Sequence, residues 1–131
     1  MRLRMELFVD DLDASVAFYA GALGFRVLRR AEDYVSLRHG AVVLGLGPVA
    51  KLPESDGPGF SRRRLAVDKG AGVEIVLEVD ELAQLAELHE RCTASAVVVE
   101  PLRLRPWGLQ DFRIVDPDGY YLRITHGNAS I

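Results

Sequence analysis

The chain has 131 residues, 49% of them hydrophobic and 27% charged, with a formal net charge of −3. That length and composition fit one folded domain and exclude a disordered chain. The small negative balance gives no electrostatic argument for nucleic acid or an anionic membrane. No apolar run approaches the roughly 20 residues of a membrane span. Residues 1–6 (MRLRME) run into a strand and show no signal-peptide core. The single cysteine, Cys92, has no internal disulfide partner, which fits a reducing cytoplasm.

Residues 4–9 alternate, with Met5, Leu7 and Val9 on one face and Arg4, Glu6 and Phe8 on the other, the period of a strand over a core. Asp10 or Asp11 can cap the helix that follows. There Leu12, Val16, Tyr19 and Leu23 recur at helical spacing, and Gly24 is the stop. Three short strands are predicted next, over 25–30, 33–38 and 41–46. Residues 47–71 then form a long connection rich in Gly and Pro. Arg62, Arg63 and Arg64 inside it read as a solvated charge run or as a clamp for an anionic group.

A second unit then opens. Residues 74–82 (EIVLEVDEL) resemble residues 4–12 (RMELFVDDL), 70 positions apart. Ile75, Leu77 and Val79 alternate with Glu74, Val76 and Glu78, and Asp80 is the expected helix cap. Leu82, Leu85, Leu88 and Cys92 lie near one helical face, which makes Cys92 a small core residue rather than a nucleophile. Strands are predicted over 95–99, 110–115 and 120–125. Asp116-Pro117-Asp118-Gly119 is the turn between the last two and carries no catalytic role. Each copy therefore reads β-α-β-β-β. The organisation is a first module at 1–47, a linker at 48–71 and a second module at 72–131. Two fused copies of a small motif commonly build a site from equivalent positions.

The marks Val9-Asp10-Asp11-Leu12, Phe18-Tyr19, Leu23-Gly24-Phe25, Pro106-Trp107-Gly108 and Asp116-Pro117-Asp118-Gly119-Tyr120 cover nearly the whole chain. With the paired βαβββ units, they make it resemble the vicinal oxygen chelate superfamily. That group holds glyoxalase I, extradiol dioxygenases, fosfomycin-modifying enzymes and bleomycin-resistance proteins. The resemblance implies an α+β fold in which eight strands form a cup-shaped mixed sheet, with helices outside, a site inside and a homodimeric assembly.

Most enzymes of that family hold a divalent metal in the cup, on the first and last strands of each copy. Carried over residue by residue, the ligand positions fall on Arg4, Leu44, Glu74 and Arg123. Arginine only donates and repels a cation, and leucine has no lone pair. One carboxylate is too few for a stable site, so no metal or cofactor is expected. His39, His89 and His126 are expected at a turn, on the second helix and beyond the last strand, as surface or edge residues. Arg4, Glu74 and Arg123 should instead converge, with Glu6, as an ion-pair network. It is either a polar plug or a charged floor for a ligand.

The resemblance implies most directly a metal-free small-molecule binder close to the bleomycin-resistance branch, taking an aromatic or cationic compound. Phe8, Tyr121, Trp107, Tyr34 and Phe60 supply aromatic faces, with Glu6, Glu74 and Glu78 as negative partners. Trp107 reads equally as a seal for the open edge of the cup. Tyr19 and Tyr120 belong to the core. Other readings are a metal-dependent glyoxalase-like lyase, isomerase or dioxygenase, a metal-free enzyme using Glu74 as base, and an interaction module. Arginines beside Glu74 should make it a poor base near neutrality.

Overall fold

A computed structural model describes residues 1–127. The chain divides into two compact units, Met1–Lys69 and a second that begins at Gly70. The first unit orders β1 (Met5–Val9), α1 (Leu12–Val16, continued by a wide π-type turn over Ala17–Ala22), β2 (Arg26–Ala31), β3 (Tyr34–His39) and β4 (Val42–Pro48). The second orders β5 (Glu74–Val79), α3 (Leu82–Ser95), β6 (Val97–Leu104), β7 (Gln110–Val115) and β8 (Tyr121–His126). The strands hydrogen-bond as two four-stranded mixed sheets, β1-β4-β3-β2 and β5-β8-β7-β6, and not as one continuous sheet of eight. In each, the first strand of the unit runs parallel to the last, and the other pairs are antiparallel.

Alternation places the core. Leu7 and Val9 of β1, Val35 and Leu37 of β3, and Leu44 and Leu46 of β4 are buried, as are Tyr19 and Leu23 of the first helical segment. In the second unit Leu85, Leu88 and Cys92 of α3 are buried, with Phe112 and Ile114 of β7 and Leu122 and Ile124 of β8. Each such aliphatic side chain contributes roughly 1.5–3 kcal/mol over an exposed one. Tyr19 is fully buried and Tyr120 is 7% exposed, in keeping with a core role for both. Leu82, grouped with the buried face in sequence, stands 49% exposed at the first turn of α3.

Asp11, not Asp10, caps α1, its Oδ1 accepting from the Ala14 amide at 3.0 Å. In the second unit the cap is Glu81 rather than Asp80, because α3 begins at Leu82; the Glu81 amide donates to Gln84 Oε1 at 3.3 Å. Asp11 and Glu81 are repeat equivalents, so both helices start at the same step of the motif. Gly24 leaves the helical turn at φ 78°, and the Phe25 amide donates back to the Tyr19 carbonyl at 2.9 Å. The first-unit strands each start one residue later than the sequence predicts, and β6 starts two later, at Val97, because α3 runs on through Ser95.

The connection after β4 is not bare loop. It carries a 3₁₀ turn at Val49–Lys51 and a short helix, α2 (Arg62–Leu65), capped by the buried Ser61, whose Oγ accepts from the Arg64 amide. The three arginines are occupied locally. Arg62 pairs with Glu54 at 3.2 Å and Arg63 with Asp56 at 2.6 Å, while Arg64 donates to the carbonyls of Gly57, Pro58 and Gly59. Among the described residues no helix is long and apolar enough to cross a membrane.

Candidate functional site

On the first sheet, strand parity separates an apolar face under the helix from a polar face. The parallel register pairs Met5 with Leu44, Glu6 with Gly45, Leu7 with Leu46 and Phe8 with Gly47. Directly paired residues point the same way, so Leu44, 1% exposed, lies in the core layer with Leu7 and Leu46. Its placement as a site position is thereby corrected: the β4 residue facing Glu6 is Gly45. A Cβ there would lie 1.9 Å from Glu6 Oε2 and 2.4 Å from the Tyr34 hydroxyl. The missing side chain makes room for a polar contact. Tyr34 donates to Glu6 Oε1 at 3.2 Å, and Arg4 Nε approaches the same oxygen at 2.9 Å. Burial, then the Glu6 charge, pushes the Tyr34 hydroxyl pKa up.

Phe8 packs against Phe60 of the connection with ring centroids 4.6 Å apart and planes tilted by 48°. Phe60 also lines a cavity of about 300 Å³ with Pro58, Ser61, Arg64, Leu65 and Asp68. The long connection thus brings an aromatic ring onto the polar face of the first sheet.

The second sheet carries a denser array. Pairing puts Glu74 opposite Tyr121, Val76 opposite Arg123 and Glu78 opposite Thr125, all on the face away from α3. β7 adds Asp111, Arg113 and Val115, paired with Thr125, Arg123 and Tyr121. Glu74 Oε1 lies 2.6 Å from Arg123 Nε, but without hydrogen-bond alignment. Of the residues expected to form one network, Arg4 pairs with Glu6 in the first unit and Glu74 with Arg123 in the second. Tyr121 accepts from Arg113 Nη1 at 3.3 Å.

Four charged residues essential to this face were not anticipated from sequence: Glu100, Arg105, Asp111 and Arg113. Arg105, buried at its base, donates from Nε to Asp111 Oδ1 at 2.7 Å and from Nη2 to Glu100 Oε2 at 2.5 Å. Arg103 reaches Glu100 at 3.3 Å. The Arg105 hydrogen bond holds Glu100 below the ordinary carboxylate range, and the Asp111 and Glu100 bonds raise Arg105 in turn. The hydrogen bond to Tyr121 raises Arg113. The signal was present in β7: Asp111 and Arg113 alternate with Phe112 and Ile114, so two charges must share the face opposite the core. Trp107 sits at the β6–β7 turn, 56% exposed, beside Gly108 at φ 91°.

These donors do not suit a divalent metal. Among the described residues no group of three or more His, Cys, Asp or Glu side chains is arranged to hold one. Glu6, Glu74, Glu100 and Asp111 each face a guanidinium, which competes for their lone pairs. The histidines are committed elsewhere. His39 is exposed and meets the edge of Phe25. His89 Nε2 accepts from the Leu102 amide at 3.3 Å and its ring lies against Phe112. His126 ends β8 instead of lying beyond it, because its backbone pairs with Val79; its Nε2 accepts from the Gln110 amide at 3.0 Å.

Residues 3–124 match the family model described as Glyoxalase/Bleomycin resistance protein/Dioxygenase superfamily. Among curated proteins nothing matches. Solved structures with this fold include lactoylglutathione lyase from Agrobacterium tumefaciens, 22% identical with a TM-score of 0.73, covering 99% of this chain and 96% of that one. TioX from Micromonospora sp. ML1 is 22% identical with a TM-score of 0.75, covering 96% and 98%. The bleomycin resistance determinant encoded on transposon Tn5 is 23% identical with a TM-score of 0.66, covering 98% of both chains.

Proposed function

Because this chain belongs to the Glyoxalase/Bleomycin resistance protein/Dioxygenase superfamily, we propose that it is a metal-free small-molecule-binding protein that sequesters an aromatic or cationic compound. The fold does not choose between binding and catalysis, since a lyase and a resistance determinant share it. The choice rests on one observation: arginine occupies Arg123, on the face where a metal ligand would stand, and lies 2.6 Å from the Glu74 carboxylate. A guanidinium there supplies positive charge without a coordination site.

Each unit is assigned its own ligand contacts: in the first, the part-exposed Phe8 with Glu6; in the second, the part-exposed Tyr121 and exposed Trp107 with Glu74 and Arg123. Flat rings sandwich planar ligands at low conformational cost. A homodimer belongs to the same reading. The edge strand β6 leaves Val97, Val99 and Leu104 exposed, apolar side chains along an edge that a second copy would cover. The single cysteine fits a cytoplasmic setting.

The test is equilibrium binding of a panel of planar aromatic compounds, read by fluorescence of Trp107, the chain's one tryptophan. The proposal expects saturable binding that excess EDTA leaves unchanged. Binding that appears only after a divalent metal is added would sink it and favour a metal-dependent lyase, isomerase or dioxygenase.

A further inference from the structure

The polar face of the second sheet places two arginines side by side. Arg113 of β7 and Arg123 of β8 are direct cross-strand partners in the antiparallel register. Like charges in that relation repel unless something negative lies between or above them.

The carboxylates nearby are only partly available. Glu100 Oε2 and Asp111 Oδ1 are the oxygens that Arg105 takes, at 2.5 and 2.6 Å. Arg113 Nε stands 3.7 and 3.5 Å from the same two oxygens and makes no hydrogen bond. Arg123 Nε approaches Glu74 without alignment, and among the described residues no hydrogen bond uses its two terminal nitrogens. Arg105 is structural: its side chain is 5% exposed and held by Asp111 and Glu100. The side chains of Arg113 and Arg123 are 20% and 28% exposed, so their outer edges reach solvent.

Tyr121 completes the arrangement. Its hydroxyl oxygen accepts from Arg113, which leaves the phenolic proton to donate outward. Beside the unpartnered Asp111 Oδ2, the face thus offers as outward donors the remaining terminal N–H groups of two guanidiniums and one O–H. Guanidinium forks match the planar or tetrahedral oxygens of carboxylate and phosphate in bidentate fashion.

We propose that Arg113, Arg123 and Tyr121 form a receptor for an oxyanion, a carboxylate or phosphate carried by the bound small molecule. The inference rests on the small-molecule-binding reading above and narrows its ligand to one with a negative group. Glu74, Asp111 and Glu100 balance the charge of the two guanidiniums, so what a neutral or cationic ligand fails to supply is an acceptor for their outward N–H groups, and the cationic option is set aside.

The experiment follows the arginine Nε–Hε resonances of ¹⁵N-labelled full-length protein at constant ionic strength. The probes are 2-naphthoate, 2-naphthyl phosphate, their neutral counterpart 2-naphthamide, and inorganic phosphate alone. Saturable shifts at Arg113 and Arg123 are expected with the anionic probes. Their affinity should exceed that of 2-naphthamide by about tenfold or more, the effect of a charge-assisted hydrogen bond. The tighter of the two anionic naphthalenes identifies the source as carboxylate or phosphate. Arg123→Gln should remove that preference, and Tyr121→Phe, which leaves both charges in place, should reduce it.

Equal affinity for 2-naphthamide and 2-naphthoate would overturn the receptor while the binding function stands. Saturable shifts with inorganic phosphate but no naphthalene binding would support the receptor and sink the aromatic-ligand reading. Weak, non-saturable shifts spread equally over Arg26, Arg29 and Arg38 would mean ionic screening only and would overturn the receptor.

Discussion

Asp111 offers a sharp test of how the second sheet holds its charges. Its side chain is 1% exposed; its Oδ1 accepts from Arg105 Nε at 2.7 Å and lies 2.6 Å from Nη2 of the same guanidinium. Asp111→Ala removes that acceptor and leaves a guanidinium in a poorly solvated site with only Glu100 to oppose it. Breaking one side of such a pair costs about 3–5 kcal/mol, a large share of the roughly 5–15 kcal/mol that holds a domain. At about 4 °C per kcal/mol, the melting temperature should fall by about 12–20 °C. Asp111→Asn keeps an acceptor oxygen but not the charge, and should cost about 1.5–3 kcal/mol. The decisive comparison is the double variant Asp111→Leu with Arg105→Met. An apolar pair of similar volume removes the desolvation cost of both ions, so the double variant should recover most of the loss. Urea unfolding followed by far-UV circular dichroism gives each value. Asp111→Ala within about 1 kcal/mol of the parent would show that water already solvates Arg105. A double variant no more stable than Asp111→Ala would show that the loss is one of packing and not of charge.

Three further outcomes follow from the same structure. Burial pushes the Cys92 thiol up to about 11, so a thiol reagent at pH 8 should label it only on unfolding; rapid labelling of the native protein would contradict its core placement. Glu100 is held below its ordinary value by Arg105. Its contribution to stability is therefore complete above the unfolded value near 4.5 and is lost as pH falls through the lower folded value. Glu100→Gln should flatten that part of the acid-unfolding profile, and an unchanged slope would dismiss the ion pair as a source of stability. His126→Ala should leave the Gln110 amide unsatisfied and cost about 1–3 kcal/mol, with faster hydrogen exchange along β7; His126→Gln, which restores an acceptor, should recover part of it.

Much of the fold was legible because its signals are local. Alternation in residues 4–9 and 74–79, helical spacing after each, and the Asp116–Gly119 turn all depend on near neighbours. Asp116 Oδ1 indeed accepts from the amides of Asp118 and Tyr120, with Gly119 at φ 88°. The first helix cap stayed open between Asp10 and Asp11, and the second was misassigned by one residue, to Asp80, because adjacent acids are both competent and only the first hydrogen-bonded turn decides.

The site was less legible because it depends on register between strands. Leu44 was placed by motif position, yet the parallel pairing with Met5 turns it into the core. The internal repeat carried the correction. Met5 and Ile75 are equivalent and pair with Leu44 and Leu122, so Gly45 and not Leu44 corresponds to Arg123. The ligand positions drew attention to first and last strands, whereas Glu100 lies on β6, Asp111 and Arg113 on β7, and Arg105 just past the end of β6. Their meeting depends on irregularities in the β6–β7 register between Val98 and Glu100 and between Glu100 and Arg103. A shift of that kind has no signature in composition or periodicity.

The central claim is that arginine has replaced metal in this member of the superfamily. The measurement is metal content of tag-free protein by elemental mass spectrometry, before and after incubation with Zn²⁺, Ni²⁺, Mn²⁺ and Fe²⁺ followed by desalting. The account predicts a stoichiometry near zero in every case. A content close to one metal per chain would contradict it, show that Glu74 exchanges Arg123 for a cation, and return the protein to the metal-dependent enzymes of its superfamily.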